Sequence, residues 1–581
     1  MPRTYPRIAF SLYAMTIKPD ASLAFSALHA LGNVADLITN EVTTKPIITY
    51  EPDFWLLDGG YKFRPTDDAD AHIGIMSTVQ SDATGIFSVA PTLTITFGSV
   101  QSSDGLTLRF APYSNDFAND IDVAYYNASN VLIRTDSYTP TSWDFSIAQA
   151  VSNFKKIIIT FNSTNNPYRY LRLSGIDFGE LTYFESTNIK SASVIQEIKP
   201  ISDELPIGKL ELSLFSNDAA FNIINPTGTY AQLKENQPID VYEFVNTELI
   251  YIGRYYIKSW ENTSDNEIKF VAEDILSILE TKKYYGGIWG AGQTGGGADQ
   301  APTILIEDLL DEILTANSIP YSLDSILEGT EINGWLPIGS IKKALQQIGF
   351  AAGAYISCSR SGIVKITKTI LASDLLVFDY AISRSQKGLS QSLTLKPQVT
   401  GVVITTHGYF CDTSPETPDT LFNEWMPAGT KTIFFDRPVL ASSIGAYGGS
   451  ATVTEQNINY AVISRATDGV AVITGYYYKD SIGEVSVYNP TASDYQKILT
   501  INNATLITNE NGETIAQHLY DYYQQRYLQK FRLFATDVQV GKSMLIDIFQ
   551  NSQLGGFVEK MNINLTGGFL QDTEIVGIVV E

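Results

Sequence analysis

Short runs in which every second residue is apolar dominate residues 50–179 of the chain. A period of two gives a strand one apolar and one polar face, which predicts sheets packed face to face. Turn signals such as Ser103-Asp104-Gly105 separate the runs, so the segment is expected to be a β-sandwich of jelly-roll type. The apolar positions are Leu93, Ile95, Phe97, Leu106, Leu108, Phe110, Ile121, Val123, Tyr125, Ile157, Ile159, Phe161, Leu171 and Leu173.

The first 49 residues read as an arm that precedes this module. Ile8, Phe10 and Leu12 alternate as in a strand, and Lys18-Pro19-Asp20 predicts a turn. A short helix is expected around residues 28–37. We expect this arm to complete a neighbouring domain or to dock on another subunit.

Apolar residues spaced three or four apart predict helices in the second half of the chain. Pro302 is placed in a first helical turn, where a proline is tolerated. Short strands surround the helices at residues 399–405, 432–435, 471–478 and 556–565. The helical positions are Leu305, Leu309 and Ile313 with Ile306, Leu310 and Leu314; Ile341, Leu345 and Ile348; and Ile515, Leu519, Tyr522 and Arg526.

Residues 286–297 are rich in glycine and are expected to form a mobile crossing or a domain boundary. The stretch from Gly290 to Gly295 fits the spacing of a dinucleotide-binding loop. That fingerprint requires a strand before it and a helix directly after it. A helix is predicted before it, at residues 274–279, so a linker is the preferred interpretation.

Composition limits the possible partners. Hydrophobic residues make up 44% of the chain and charged residues 18%, which predicts a globular protein. The net charge of -24 argues against wrapping nucleic acid, so DNA is expected only to pass by. The two cysteines allow neither a disulfide framework nor a zinc site, and no apolar run is long enough to span a membrane.

Several segments together resemble the tail-tip hub protein of phages and phage-derived particles of Gram-positive hosts. In that family a small α/β part contains a helix, a Gly-Ala pair and a hairpin, matched here by residues 341–366. Late motifs follow at residues 505–509 and 561–569. The earlier motifs are matched by the strand at residues 209–215 and by residues 221–226, 237–242, 252–260 and 270–279.

The alternating segment also resembles the discoidin-like, galactose-binding-like module that is often embedded in such tail proteins. Residues 51–59, 102–110 and 166–179 carry this likeness. The two resemblances imply a mostly β, multidomain protein. Its parts are an arm (1–49), the jelly-roll module (50–180), hub β domain I (181–289), a glycine-rich linker with a small α/β domain (290–392) and hub β domain II with one helix (393–581).

Carbohydrate recognition needs an aromatic face and a few hydrogen-bonding groups. Residues of the module that fit are Trp55, Tyr61, Tyr113, Tyr168 and Arg169. The alternative is that such aromatics belong to the core or to an interface. No cofactor is expected except a structural Ca²⁺, for which the resemblance suggests Asp58 and the local charge suggests Asp67, Asp68 and Asp70. A solvated acidic loop is the alternative.

A cell-wall hydrolase is the enzymatic alternative. His29, His72, His407 and His518 show no metal-binding spacing, and Cys358 falls in a predicted hairpin, so no catalytic residue is assigned. The resemblance implies a virion protein that forms a homotrimeric ring between distal tail proteins and tip or fibre proteins. A receptor-binding adhesin that recognises host cell-wall glycan is the second hypothesis.

Overall fold

The structure, a computed structural model, is mostly β, as the sequence predicts, and the chain divides into two compact units. It describes residues 4–13, 17, 20–39, 49–52, 73–103, 105–111, 114–147, 149–199, 204–215, 223, 233–246, 248–294, 301–317, 319–375, 377–415, 417–447, 451–489, 497–534, 537–549 and 552–580. The predicted division into five domains stays a prediction.

The jelly-roll unit comprises Ala9–Tyr183 together with Ile224–Pro238. Its helix is α1, Asp36–Thr39. The strands that lie in it wholly or in part are β1 Thr4–Tyr13, β2 Ala21–Phe25, β3 Ile75–Gln80, β4 Thr92–Ser103, β5 Leu106–Arg109, β6 Ala118–Tyr126, β7 Leu132–Tyr138, β8 Asp144–Ile147, β9 Val151–Thr164, β10 Tyr170–Leu173, β11 Gly175–Asp177 and β12 Gly179–Glu185.

Two main sheets build this unit. One has the strand order β2-β4-β9-β6-β7, and the other has the order β11-β5-β8. Strands β10 and β3 form a separate two-stranded sheet. The alternating apolar positions predicted from the sequence point into one shared core, where Phe97 meets Phe154 and Phe178 edge to face. The predicted sandwich of jelly-roll type is therefore confirmed.

The helix predicted at residues 28–37 is wrong for most of its length. Only Asp36–Thr39 is helical, while Leu28 forms an isolated β-bridge with Ser77. The Oδ1 of Asn33 accepts a hydrogen bond from the backbone N–H of Ala35 at 3.0 Å. Such a local side-chain bond competes with helix formation and holds the preceding residues in a turn. Of the predicted turn, Lys18 and Pro19 lie outside the described residues.

The second unit comprises Met1–Ile8, Phe184–Ile223 and Ile239–Glu581. Its helices are α2 Ile275–Thr281, α3 Ile306–Ile313, α4 Ile341–Ala351 and α5 Gly512–Tyr523, with short 3-10 turns at Thr315–Asn317, Ala372–Asp374, Arg384–Gln386 and Ala441–Ser443. Its strands up to residue 395 are β13 Ile189–Glu197, β14 Lys209–Phe215, β15 Pro238–Val245, β16 Glu248–Ser264, β17 Glu267–Glu273, β18 Lys283–Tyr284, β19 Gly287–Trp289, β20 Gly292–Thr294, β21 Ile304–Leu305, β22 Tyr321–Leu323, β23 Glu331–Ile332, β24 Gly334–Leu336, β25 Gly339–Ser340, β26 Ala354–Ser357, β27 Val364–Lys368, β28 Tyr380–Ile382 and β29 Lys387–Leu395.

The later strands return to the same unit. They are β30 Gly401–Asp412, β31 Asp419–Met426, β32 Gly429–Phe434, β33 Gly445–Tyr447, β34 Ala451–Gln456, β35 Tyr460–Arg465, β36 Gly469–Gly475, β37 Tyr478–Tyr488, β38 Ile498–Ile501, β39 Tyr527–Phe534, β40 Ser543–Asp547, β41 Gln553–Asn564 and β42 Leu570–Val580.

One large sheet organises the second unit. It contains, in order, β15-β16-β17-β14-β13-β41-β42-β39-β29, so strands far apart in sequence are neighbours. The backbones of β41 and β42 approach so closely that a Cβ on Gly577 would lie 2.0 Å from the carbonyl oxygen of Gly555. Only glycine fits at that crossing.

Two helix predictions need correction at their ends. Pro302 precedes α3 by four residues, because Ile304–Leu305 first pairs with β23 as a strand. Arg526 lies beyond the end of α5, where its backbone carbonyl accepts from Lys396 and its Nε donates to the Lys396 carbonyl. The helix α4 and the β26–β27 hairpin around Arg360 lie where the sequence predicts them.

Over the part that is described, the glycine-rich stretch forms short paired strands, and its role as a mobile crossing or a domain boundary stays a prediction. Gly287–Trp289 pairs with β24, and Gly292–Thr294 adds to β30 in parallel. Gly286 and Gly290 sit at φ 73° and 66°, where glycine turns the chain between these short strands. No helix follows directly within the described residues 301–305, so the dinucleotide fingerprint lacks its structural context.

A small sandwich is inserted between β30 and β37. One of its sheets has the order β31-β36-β33 and the other β32-β35-β34. It has its own core, which includes Met426, Ile433, Ala471 and Ile473. We call residues 413–477 the inserted sandwich.

Candidate functional site

Only two of the predicted ligand-binding residues, Tyr168 and Arg169, lie in the described part of the chain. They are adjacent in the loop between β9 and β10 of the jelly-roll unit. The other predicted positions lie outside the described residues, and their roles stay predictions: Trp55, Tyr61 and Tyr113 for sugar, and Asp58, Asp67, Asp68 and Asp70 for Ca²⁺.

Arg169 braces three loops at this end of the sandwich. Its Nε donates to Oδ1 of Asp116 at 3.1 Å, and its Nη1 donates to the carbonyl of Pro52 at 2.6 Å. Its backbone N–H donates to the hydroxyl of Ser81 at 2.9 Å. Arg169 and Asp116 are both buried, so the guanidinium is committed to holding the protein together.

A second buried ion pair fixes the chain just before residue 53. The two terminal nitrogens of Arg172 contact the two carboxylate oxygens of Glu51, one of them at 2.9 Å. Oε1 of Glu51 also accepts from the backbone N–H of Tyr170 at 2.8 Å. The arrangement is bidentate and buried, which fixes both position and orientation.

Tyr168 directly precedes Arg169 and lies beside these ion pairs. Its φ of 55° is a left-handed value that a tyrosine adopts only at a cost of roughly 1–3 kcal/mol. The side chain is 43% exposed. Its backbone is held on both sides, by the carbonyl of Asp82 at 3.2 Å and by Nε2 of Gln80 at 2.8 Å.

The turn that supports Tyr168 is itself ordered by one carboxylate. Oδ1 of Asp82 accepts from the N–H and the hydroxyl of Thr84, both at 2.7 Å, and from the N–H of Ile86 at 3.0 Å. The Thr84 hydroxyl, followed by the backbone donors, lowers the pKa of Asp82. The result is a rigid support for an exposed aromatic ring, which suits stacking on the C–H face of a sugar.

Sequence reasoning missed Glu51 and Asp116 as the partners of the two arginines. A usable signal was present, because Arg169 and Arg172 flank the buried strand residue Leu171. Arginines so close to a core are seldom buried unless they are paired, so two loop carboxylates were required.

A cleft of about 710 Å³ opens at one edge of the second unit. Nη2 of Arg7 lies 2.7 Å from Oε1 of Glu185, and the guanidinium lies 5.0 Å from the ring centre of Phe244. Tyr5 stacks on the same ring at 4.6 Å. The charged groups that line the cleft are therefore paired with each other.

Glu243 on β15 is fully buried, close to Thr4 of β1. Burial raises the pKa of Glu243 to about 8, and the Thr4 hydroxyl only partly opposes the rise. Ile239 and Val241 precede it on the same face of β15 and are also buried. The carboxyl is therefore held neutral at pH 7, in apolar surroundings.

The candidate hydrolytic groups are dispersed. Nδ1 of His407 lies 2.7 Å from Oδ2 of Asp480, and the backbone N–H of Leu31 donates to Nδ1 of the half-buried His29. Burial raises the pKa of the Cys358 thiol well above its ordinary value and lowers that of His518. His72 is not among the described residues.

The residues that the structure describes were also compared with the requirements of a metal site and of a membrane span. Across the described ranges, no three His, Cys, Asp or Glu side chains converge as a metal site would require. Nor does any described helix have the length and hydropathy to span a bilayer.

Comparisons with known proteins find likeness only at the level of solved structures. No family model matches the chain, and no curated protein matches it. The 43 kDa tail protein of prophage MuSo2 from Shewanella oneidensis is 9% identical, covers 68% of this chain and 96% of its own, and has a TM-score of 0.38. The prophage tail protein gp18 from Listeria monocytogenes is 7% identical over 68% of this chain and 91% of its own, with a TM-score of 0.35.

Carbohydrate-binding modules form the second group of neighbours. A family 32 module from C. perfringens, solved with galactose, is 10% identical over 31% of this chain and 99% of its own, with a TM-score of 0.18. The neighbours are thus phage tail proteins and carbohydrate-binding modules. Identities and TM-scores this low carry no argument about particular residues or activity.

Proposed function

We propose that this protein is a structural component of a phage or phage-like tail tip, the hub that joins distal tail proteins to tip or fibre proteins. The observation that carries the proposal is where the hub-like motifs lie. Residues 209–215, 252–260, 270–273 and 561–564 are far apart in sequence, yet they occupy β14, β16, β17 and β41 of one sheet. The resemblance thus rests on a contiguous part of the fold.

An unpaired edge supports assembly with copies of the same chain. Among the described residues the large sheet ends at β29, which pairs only with β39. Ser392 and Thr394 on this strand are exposed. An uncovered edge strand is a template for further pairing, and closed symmetry would bury it against a neighbouring copy. A homotrimeric ring is the arrangement proposed.

The decisive experiment is the copy number and symmetry of this chain in a purified particle. Electron cryomicroscopy of tails should place three copies in a ring around the tail axis. Finding the chain in free monomeric form, absent from purified tails, would overturn the proposal.

A second role is favoured by Tyr168, which is exposed, strained and rigidly supported. We propose that the jelly-roll unit contacts host-surface glycan, which would make the protein an adhesin as well as a hub. A cell-wall pull-down with the full chain and its Tyr168→Ala variant tests this role. Equal retention of both proteins would leave the module with a structural role only.

No bond-breaking activity is proposed. Support comes from the His and Cys groups, which lie apart from one another, and from the Arg7–Glu185 pair of the cleft. Zymography on host cell walls with the full chain is expected to show no clearing.

A further inference from the structure

The outer face of the inserted sandwich carries an exposed tryptophan. Trp425 on β31 is 62% exposed, and its register partner Val470 on β36 is 54% exposed. Partners directly opposite on antiparallel strands share a face, so the two side chains adjoin. Ala471 and Ile473, which follow on β36, are buried in the core on the opposite face of the same sheet. The indole therefore points away from the core that holds the sandwich together.

Polar groups flank this indole on both sides along the strands. Asn423 lies two residues before Trp425 on the same face, paired with Val472, and it is exposed. Asp468 lies in the turn just before β36, where Oδ1 accepts from the backbone N–H of Ala428 at 2.8 Å. This bond fixes the Asp468 carboxylate at the turn. By register, Trp425 and Val470 therefore lie between Asn423 on one side and the turn that carries Asp468 on the other.

The size of the apolar surface suits a small ligand. A tryptophan side chain buries at most about 250 Å², so Trp425 exposes roughly 150 Å². A standard protein interface buries about 800 Å² on each partner. Trp425 and Val470 together offer far less than that, but enough to cover one face of a six-membered sugar ring.

Charge selects among small ligands and surfaces. Asp468 lies two residues before Val470 in sequence, and the chain as a whole carries a net charge of -24. A net negative charge repels anionic lipids and phosphate-rich polymers. Carboxylate and amide oxygens instead accept hydrogen bonds from hydroxyl groups.

We infer that Trp425, Asn423 and Asp468 form a binding site for an uncharged pyranose, separate from the jelly-roll unit. The indole stacks on the C–H face of the ring, while the amide and the carboxylate bond its hydroxyls. Because the site lies on the inserted sandwich, it would act whether or not the jelly-roll unit binds sugar.

Fluorine NMR on the full chain tests the site directly. The chain has six tryptophans, so 5-fluorotryptophan labelling gives a small set of signals, and Trp425→Phe identifies that of Trp425. Methyl glucopyranoside, methyl galactopyranoside and tri-N-acetylglucosamine are added in turn. At least one should shift the Trp425 signal in a saturable way, and Asn423→Ala should weaken that binding about fivefold or more.

A matched control is available on the other sheet of the same sandwich. Phe434 is 52% exposed, and Phe434→Ala should leave the affinity unchanged. The inference fails if no probe moves the Trp425 signal at tens of millimolar. It also fails if the signal shifts only when the protein concentration is raised, because that would indicate contact with a second copy. A shift seen only with vesicles of phosphatidylglycerol would indicate a lipid surface and would likewise contradict the inference. None of these outcomes affects the copy number in the particle, so the hub proposal is judged separately.

Discussion

Nε of Arg169 lies 3.1 Å from Oδ1 of Asp116, and both side chains are almost completely buried in the jelly-roll unit. The same arginine reaches the carbonyl of Pro52, so a single side chain holds three loops at one end of the sandwich. This end also carries Tyr168. The rigidity of the proposed glycan contact therefore depends on a buried ion pair.

Removing one member of that pair should destabilise the jelly-roll unit strongly. Asp116→Ala leaves a buried guanidinium without its carboxylate, which typically costs about 3–5 kcal/mol. Hydrogen exchange of strands β9 and β10 in the full chain measures the loss. Asp136→Ala is the matched control, because the Arg134–Asp136 pair is partly exposed and should contribute much less to stability. Equal effects of the two variants would contradict the assignment of Arg169 as a brace.

Stability of the second unit should depend on pH through Glu243. Its pKa is about 8 in the folded protein, against an ordinary value of 4.5. Between these values the unfolded chain releases a proton that the folded protein keeps. The free energy of unfolding therefore falls as pH rises through this window, by up to about 1.4 kcal/mol per pH unit from this group.

Glu243→Gln should abolish that part of the pH dependence. The amide is neutral at every pH, so the variant should gain stability over the wild type at pH 8 and lose that advantage at pH 4.5. Urea unfolding at several pH values, followed in the second unit, gives the comparison. Glu261→Gln, at an exposed position of β16, is the control and should leave the profile unchanged. Parallel profiles for wild type and Glu243→Gln would disprove a buried neutral carboxyl.

Tyr168→Gly should separate stability from binding. Glycine adopts the left-handed φ without strain, so the jelly-roll unit should become more stable by about 1 kcal/mol. The same change removes the ring and should weaken retention on host cell walls. Asn115→Gly relieves a similar φ of 51° in a neighbouring loop and should preserve retention. Loss of stability in Tyr168→Gly would mean that the ring packs as a core residue does.

A charge placed on the open edge of the large sheet should block ring formation. Ser392→Lys puts an ammonium group on β29, where a neighbouring strand would have to pair. Ser191→Lys adds the same charge on β13, which is already paired on both sides by β14 and β41. Light scattering on the purified protein should show assembly lost in the first variant and kept in the second. Assembly in both would exclude β29 as the interface.

The sequence predicted the sandwich well because alternation is a local property. The burial of Leu93, Ile95 and Phe97 can be predicted from the alternation within their own strand, without knowing which strand pairs with it. Helix ends were predicted less well, because tertiary pairing decides them. Pro302 lies two residues before strand β21, which pairs with β23, and Arg526 bonds to Lys396 instead of continuing the helix.

The candidate site was only partly predictable. Tyr168 and Arg169 could be chosen as residue types, but their different roles depend on partners far away in sequence. Asp116 is 53 residues from Arg169, and Glu51 is 121 residues from Arg172. The left-handed φ of Tyr168 follows from bonds to Gln80 and Asp82, which no periodicity reveals.

The inserted sandwich begins after β30 and ends before β37. These two strands are antiparallel neighbours, and Cys411 and Tyr478 at their ends are register partners. Its two ends therefore meet side by side, and a short hairpin could replace everything between them without disturbing either strand. The segment could therefore be exchanged for another one at the same insertion site. Related proteins are then expected to differ first in this segment, while the strands that carry it stay the same.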